Sequence, residues 1–348
     1  MNGEATSESP PLRFLFSAAW QGNIEVIELP DPGITVHQQH RTIDWNLKNA
    51  KRFWVYLRDS LSIIRVGRSY DGIVISSAGL ETFLVPLIWR FLPRRVRGPG
   101  ALVVLDPIAL RWRQLDRLFA FGMRSVDLVL CIRTGDVDMF DRRFGVPDER
   151  CRFLAMPVPD VDQAAPVASP RPPYVYAAGS AHRDWRLLLR AFELIPDQHC
   201  IVATQSLDSK STPIPPNVEL LPAQTIADGR VLMQHSTLVA VTFEDTDLAC
   251  GPTIILDAYA MGIPVVSSDT NGSRDYVQHG VTGLLSPPED PATLAANIAE
   301  LLHSADRRTA MRRAIENLSR GELSRTVFEE RLGQHLRAAV SDARRRPR

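Results

Sequence analysis

Residues 250–283 read CGPTIILDAYAMGIPVVSSDTNGSRDYVQHGVTG, and this stretch decides the fold. Gly251 and Pro252 open a helix, glycine as N-cap and proline at the first helical position, where its missing N–H costs nothing. The amides of Thr253 and Ile254 then point out of the positive end of the helix dipole, a ready place for a phosphate. Asp257 lies one turn deeper on the same face as Thr253. A carboxylate there can accept hydrogen bonds from ribose hydroxyls while the phosphate sits at the helix start. The rest of the helix is apolar, from Ile254 to Met261, so Asp257 is not part of a solvated face. Gly262-Ile263-Pro264 ends the helix and launches a strand, PVVSS at 264–268. Gly272 and Ser273 form a second small-residue turn.

The helix-then-strand pattern repeats in both directions. Short β-branched or apolar runs occur at 12–17, 72–77, 101–105, 128–132 and 152–156, then at 174–178, 200–204, 218–221, 238–243, 264–268 and 283–285. They lack strict alternation, as strands buried on both faces do, and helix-length amphipathic stretches separate them. The implied fold class is α/β: two Rossmann-like, doubly wound parallel-sheet domains facing across a cleft. Six prolines in 157–173 mark the connection. The expected organisation is a tail at 1–11, an N-terminal domain at 12–160, a linker at 161–173, a C-terminal domain at 174–322, and a helix with a basic tail at 323–348. Ligands in such sheets sit at the carboxyl ends of the strands.

A length of 348 residues exceeds one ordinary hydrophobic core. The formal net charge is zero, which gives no sign of a nucleic-acid partner. Its distribution is uneven. Between Arg41 and Arg124 fifteen Lys/Arg stand against six Asp/Glu. Such a field suits an anionic membrane surface or an anionic acceptor, and equally an Arg-rich solvated surface. Four scattered cysteines form no zinc or disulfide spacing. With no signal sequence at the N-terminus and no apolar run near ~18 residues, the expected location is cytoplasmic, with peripheral contact at the inner membrane face as an option. The stretches 45–67 and 83–97 mix aromatic and aliphatic residues with Lys/Arg. Either could rest on a bilayer interface, or pack one face on the sheet with Arg outward.

The segments LDAYAMGIPVV, NGSRDYV and HGVTGLL, in this order and spacing, resemble the nucleotide-sugar signature of the retaining family-4 glycosyltransferases of the GT-B fold. The resemblance covers about 150–305 well and the N-terminal half only in layout. It implies that Asp257 contacts the donor ribose and that Gly251, Pro252, Thr253 and Ile254 meet the diphosphate. The family's first Glu would fall at Ala249, which cannot ionise, so either Glu244, Asp245 or Asp247 substitutes or the donor sugar is held differently. In YVYAAGSAHRDW the resemblance aligns Gly179 with the family's glycine, puts Ser180 in place of its first basic residue, and puts Arg183 where the second points at the diphosphate. Arg183 would then stabilise the departing nucleoside diphosphate. Asp184 reads as a helix cap and His182 as a loop residue. The loop at 221–225 is where the base would be met.

The N-terminal domain should supply the acceptor pocket and any acid/base group. Asp106 follows the strand ALVVL, where family members often carry a His. It reads either as a group facing the acceptor or sugar, or as a turn-initiating Asp before Pro107. The implied activity is transfer of a sugar from a nucleoside-diphosphate donor to an acceptor hydroxyl, possible lipid linkage of that acceptor included, with retention. No cofactor is expected beyond the donor substrate, and no metal, since the helix end and Arg183 can neutralise the leaving charge. Two alternatives stay open: a sugar-nucleotide epimerase on the same fold, and a catalytically silent sugar-nucleotide-binding protein, prompted by Ala249.

Overall fold

The strands form two separate six-stranded sheets, parallel throughout, in the computed structural model, which describes residues 10–18, 29–40, 49–76, 79–98, 100–107, 113–161, 172–244 and 252–345. The chain divides into two units. The first comprises residues 1–132, 136–154 and 328–348; the second comprises 133–135 and 155–327.

The first unit contains β1 (Leu12–Ala18), β2 (Ile34–His40), α1 (Asn49–Gly67), β3 (Gly72–Ser76), α2 (Glu81–Phe91), α3 (Arg94–Arg97), β4 (Ala101–Leu105), α4 (Asp116–Met123), β5 (Leu128–Cys131), most of α5 (Thr134–Phe144) and β6 (Cys151–Phe153). Their sheet order is β2-β1-β3-β4-β5-β6. Alternate residues of the strands serve opposite faces. Ile73, Ile75, Leu102, Val104 and Val129 pack with Ile63, Phe83, Trp89 and Phe140 from the helices. Phe14, Phe16, Val74, Val103 and Leu105 pack on the other side against Phe328, Leu332 and Leu336 of the last helix. Each such large side chain, fully buried, contributes roughly 1.5–3 kcal/mol of transfer free energy. This is why the strands read as unbroken apolar runs. The last helix thus completes the first unit's core, although the sequence places it after the second domain.

The second unit contains β7 (Val175–Ala178), α6 (Trp185–Glu193), β8 (Cys200–Ala203), β9 (Val218–Leu221), α7 (Ile226–Gln234), β10 (Leu238–Val241), α8 (Thr253–Ala260), β11 (Val265–Ser268), β12 (Gly283–Ser286), α9 (Pro291–His303), α10 (Ala305–Arg320) and the start of the last helix, α11 (Arg325–Arg345). The order is β12-β11-β10-β7-β8-β9. The chain runs outward from β7 through β8 to β9, then returns to lay β10 on the other side of β7. The point where winding reverses therefore lies between β7 and β10, and its carboxyl ends open the crevice that such sheets use for ligands.

Each strand expected from sequence has a counterpart within two residues at either end, except that β6 stops at Phe153, three residues before the expected end at 156. Only β2 escaped. Its sequence ITVHQQH puts Ile34 inward but leaves Thr35 and His37 exposed, and it lies at the sheet edge, where burial on both faces is not required. A further strand-like run in the sequence, EVIEL at 25–29, lies, apart from Leu29, outside the described residues.

Candidate functional site

A cavity of about 390 Å³ opens at the carboxyl edge of the second sheet, a size ordinary for a small-ligand pocket. Its wall comes from the residues that follow β7, β8 and β9 and from the start of α8, including Gly179, Arg183, Gln205, Thr225, Thr253, Ile254 and Asp257. All of them belong to the second unit.

Helix α8 starts one residue later than the sequence suggests. Pro252 is its N-cap, with φ −75° and ψ 4°, and Thr253 is the first helical residue. A ψ near zero is not helical, so the proline ends the approach to the helix instead of opening it. The consequence for the amides is small. The carbonyl of Pro252 accepts from Ile255 N at 2.9 Å and Leu256 N at 3.0 Å, so the N–H groups of Thr253 and Ile254 precede the first intrahelical bond. Among the described residues no side chain caps this end. Both residues line the cavity, which gives it the positive end of a helix dipole. Gly251, together with Asp245, Asp247 and Ala249, lies outside the described residues.

Asp257 is not isolated. Nη2 of Arg230, from α7, donates to its Oδ1 at 2.8 Å, and Nε donates at 3.3 Å. Both side chains are mostly buried, 26% and 19% exposed for Arg230 and Asp257. Burial raises the carboxyl above its ordinary range, and the hydrogen bond and charge of Arg230 pull it back only in part. The neighbouring Tyr176 hydroxyl is pushed up to about 12, by burial first and then by Tyr174 and Asp257. Arg230 also lines the cavity.

Arg183 lines the same cavity and is held in place by the β7–α6 loop. Gly179 has φ +116°, a conformation open to glycine and strained for other residues. A Cβ there would come within 2.8 Å of the Arg183 guanidinium. The guanidinium donates from Nε to Ala178 O at 3.1 Å and from Nη1 to Ala181 O at 3.3 Å, and it stacks 4.5 Å over the Phe243 ring. It is therefore a pre-positioned cation in the cavity wall. Asp184 caps α6 by accepting from Leu187 N at 2.9 Å, as its sequence position suggests. Thr204 Oγ1 donates to Gly179 O at 2.6 Å and fixes the same loop to the end of β8.

The structure thus gathers Gly179, Arg183, Thr253, Ile254 and Asp257 into one wall, with Pro252 behind it as the cap. Glu244 is not in that lining. It is half-exposed beside the same loop, where its Oε2 lies 3.5 Å from His182 Nδ1 and its amide donates to His182 O. His182, at φ +51°, is a loop residue whose carbonyl accepts from the Glu244 amide. Asp106 belongs to the first unit, at the carboxyl end of β4. It is left-handed, with φ +48°, and its amide donates to Leu130 O at 2.8 Å. Aspartate is among the few side chains that tolerate that conformation. Arg230 was missed by sequence reasoning. It lies 27 positions before its partner, on a helix whose pattern carries no motif.

Among the described residues no cluster of three His, Cys, Asp or Glu is placed to hold a metal. The spacing Asp-x-Asp does occur in the sequence, at 136–138, 160–162 and 245–247, so the expectation of metal independence stands on the helix end and Arg183 alone.

Residues 172–304 match the family model described as Glycosyl transferases group 1. Curated relatives align over shorter stretches. The amylovoran biosynthesis glycosyltransferase AmsK of Erwinia amylovora is 38% identical over 64 residues, 18% of this chain and 16% of that protein. The D-inositol 3-phosphate glycosyltransferase of Salinispora tropica is 31% identical over 132 residues, 36% and 27% of the two chains. The chain thus covers between about a sixth and a quarter of the length of these relatives. Whole-chain likeness is structural. Anabaena HepE in complex with UDP-glucose superposes with a TM-score of 0.69 over 94% of this chain and 100% of that one, at 15% identity. Sucrose-phosphate synthase from Thermosynechococcus elongatus gives 0.70 over 96% and 100%, at 12% identity. The fold is that of the GT-B glycosyltransferases.

Proposed function

We propose that the chain is a glycosyltransferase that moves a sugar from a nucleoside-diphosphate donor to an acceptor hydroxyl. The observation that carries this reading is the cavity at the switch point of the second sheet, where the free amides of Thr253 and Ile254, the guanidinium of Arg183 and the Asp257 carboxylate share one wall. Two phosphates suit the first two groups, and a ribose diol suits the third. The match of 172–304 to a glycosyl transferase model and the UDP-glucose complex of HepE support the same reading.

In the reaction the bond between the anomeric carbon and the β-phosphate oxygen breaks, and a bond from that carbon to the acceptor oxygen forms. The acceptor hydroxyl gives up its proton, which is released to solvent. The diphosphate leaves carrying the new negative charge, which the dipole of α8 and Arg183 stabilise where it develops. No metal is needed for that neutralisation, so the donor is the sole small-molecule requirement besides the acceptor. Retention at the anomeric carbon follows from the family-4 resemblance. Asp106 is proposed as the acceptor-side polar group, and Glu244 as the residue that replaces the carboxylate missing at Ala249.

Incubation with UDP-glucose and other sugar nucleotides, with released diphosphate as the readout, tests this. Slow hydrolysis or transfer is expected, with Arg183→Ala lowering turnover more than affinity and Asp257→Ala weakening UDP binding. Interconverted donor without diphosphate would mean an epimerase. Thermal stabilisation by nucleotide without turnover would mean a binding protein.

A further inference from the structure

The first unit carries a surface that sugar transfer does not use. Helix α1 has two faces. Tyr56, Ser60, Ile63 and Ile64 are buried against the sheet and its neighbours. The opposite stripe, three and four residues apart, reads Lys51, Trp54, Arg58, Leu61 and Arg65, with Arg68 just past the helix end, and every one of these is exposed. A soluble helix normally shows water a polar face. This one alternates cations with large apolar groups, Trp54 at 67% and Leu61 at 52% exposed. The short α3, which packs against α1, extends the pattern with exposed Arg95 and Val96, and Phe91 at the end of α2 is 70% exposed.

Carboxylates are missing from this face. Among the described residues from 49 to 98, each of the three is tucked away. Asp59 is bound by Arg58, Asp71 by Arg344, and Glu81 is buried. The chain as a whole is neutral, so the surplus of cations is a local property of this face.

We propose that the outward face of α1 and α3 docks on the headgroup region of an anionic bilayer. The chemistry selects this occupant among those a basic surface could take. A second copy of the chain, meeting across a two-fold axis, would bring these cations against themselves. Nucleic acid would be served by the arginines and by the rings of Trp54 and Phe91, but it offers no apolar layer to cover Leu61, Val66 and Val96. A bilayer interface takes both kinds of group at once: cations at the lipid phosphates, and Trp54, Leu61 and Phe91 at the boundary with the acyl chains. Among the described residues no helix is long and apolar enough to cross a membrane, so the contact is in the plane of the interface. The inference does not depend on the sugar-transfer reading.

Co-sedimentation of the full chain with phosphatidylcholine vesicles, with and without phosphatidylglycerol, tests it. The chain should pellet with the phosphatidylglycerol vesicles only, and less so in 1 M NaCl, where screening shortens to about 3 Å. Each cation near such a surface is worth roughly fivefold in partitioning. The variant Lys51→Gln/Arg58→Gln/Arg65→Gln should therefore lose on the order of a hundredfold, at an unchanged melting temperature. A second variant, Trp54→Ser/Leu61→Ser, should lose the binding that survives salt. The proposal is overturned if the wild-type chain stays in the supernatant, if both variants pellet like it, or if a poly-glutamate peptide or an RNA oligonucleotide is bound while vesicles are not.

Discussion

Replacing Arg230 by Met keeps the aliphatic stem that lines the cavity and removes the charge that faces Asp257. The two-point contact of 2.8 and 3.3 Å is then gone, and the carboxylate is left 19% exposed with burial as the dominant influence on it. An exposed ion pair is worth about 0–1 kcal/mol, while breaking a buried one costs 3–5 kcal/mol. This pair lies between those limits, so about 2 kcal/mol is expected. That corresponds to a melting temperature lower by about 4–8 °C for a unit of this size. The same loss should weaken UDP by up to about thirtyfold if Arg230 acts by holding Asp257 ionised and oriented. The decisive measurement is a double-variant cycle. In an Asp257→Asn background there is no carboxylate to strand, so Arg230→Met should cost little further stability and little further UDP affinity. Urea melts and isothermal titration with UDP give both numbers. If the two substitutions add within ~0.5 kcal/mol, the residues are energetically independent, and Arg230 is not a positioning residue for Asp257.

Three further outcomes are expected. Gly179→Ala forces a side chain into φ +116° and against the Arg183 guanidinium, so stability should fall by about 1–3 kcal/mol and donor turnover with it, measured by calorimetry and diphosphate release; an unchanged variant would show that Arg183 need not be held there. Asp184→Ala removes the acceptor that caps α6 and should cost about 1 kcal/mol in a urea melt, with Asp184→Ser restoring most of it. Asp257 has a folded-state pKa above its unfolded value of 3.8, so between these values the folded chain holds a proton that the unfolded chain has released. Its contribution to stability is complete below 3.8 and lost as the pH rises through the folded value. Asp257→Asn should therefore flatten the fall of stability with rising pH in that window, and an unaltered slope in urea melts would contradict the burial described for this carboxylate.

The architecture was legible in the sequence because a strand buried on both faces has no alternative to an apolar run. ALVVL is the example, and its ends agree with the structure to the residue. The edge strand β2 was not legible, because one face of an edge needs no apolar side chains and ITVHQQH reads as a loop. Neither was the docking of the last helix on the first sheet. The apolar positions Phe328, Leu332 and Leu336 declare a buried face, but a period of 3.6 residues does not say which sheet it covers.

The candidate site divides along the same line. The parts read by backbone must be written locally: the start of α8 is marked by Pro252, a left-handed loop position needs Gly179, and the start of α6 is capped by Asp184, each within a few residues of what it serves. Arg183 could be found for the same reason, since the loop that holds it is its own. Arg230 comes from another helix, and nothing in its neighbourhood requires a cation. Its reason is Asp257, and that reason exists only once β10 lies beside β7 and brings α7 and α8 together at the cavity. A carboxylate on an otherwise apolar helix was nevertheless a sign that a partner must come from elsewhere, because a charge cannot remain buried without one. The sequence therefore carried the requirement for the pair, and the fold supplied the residue that meets it.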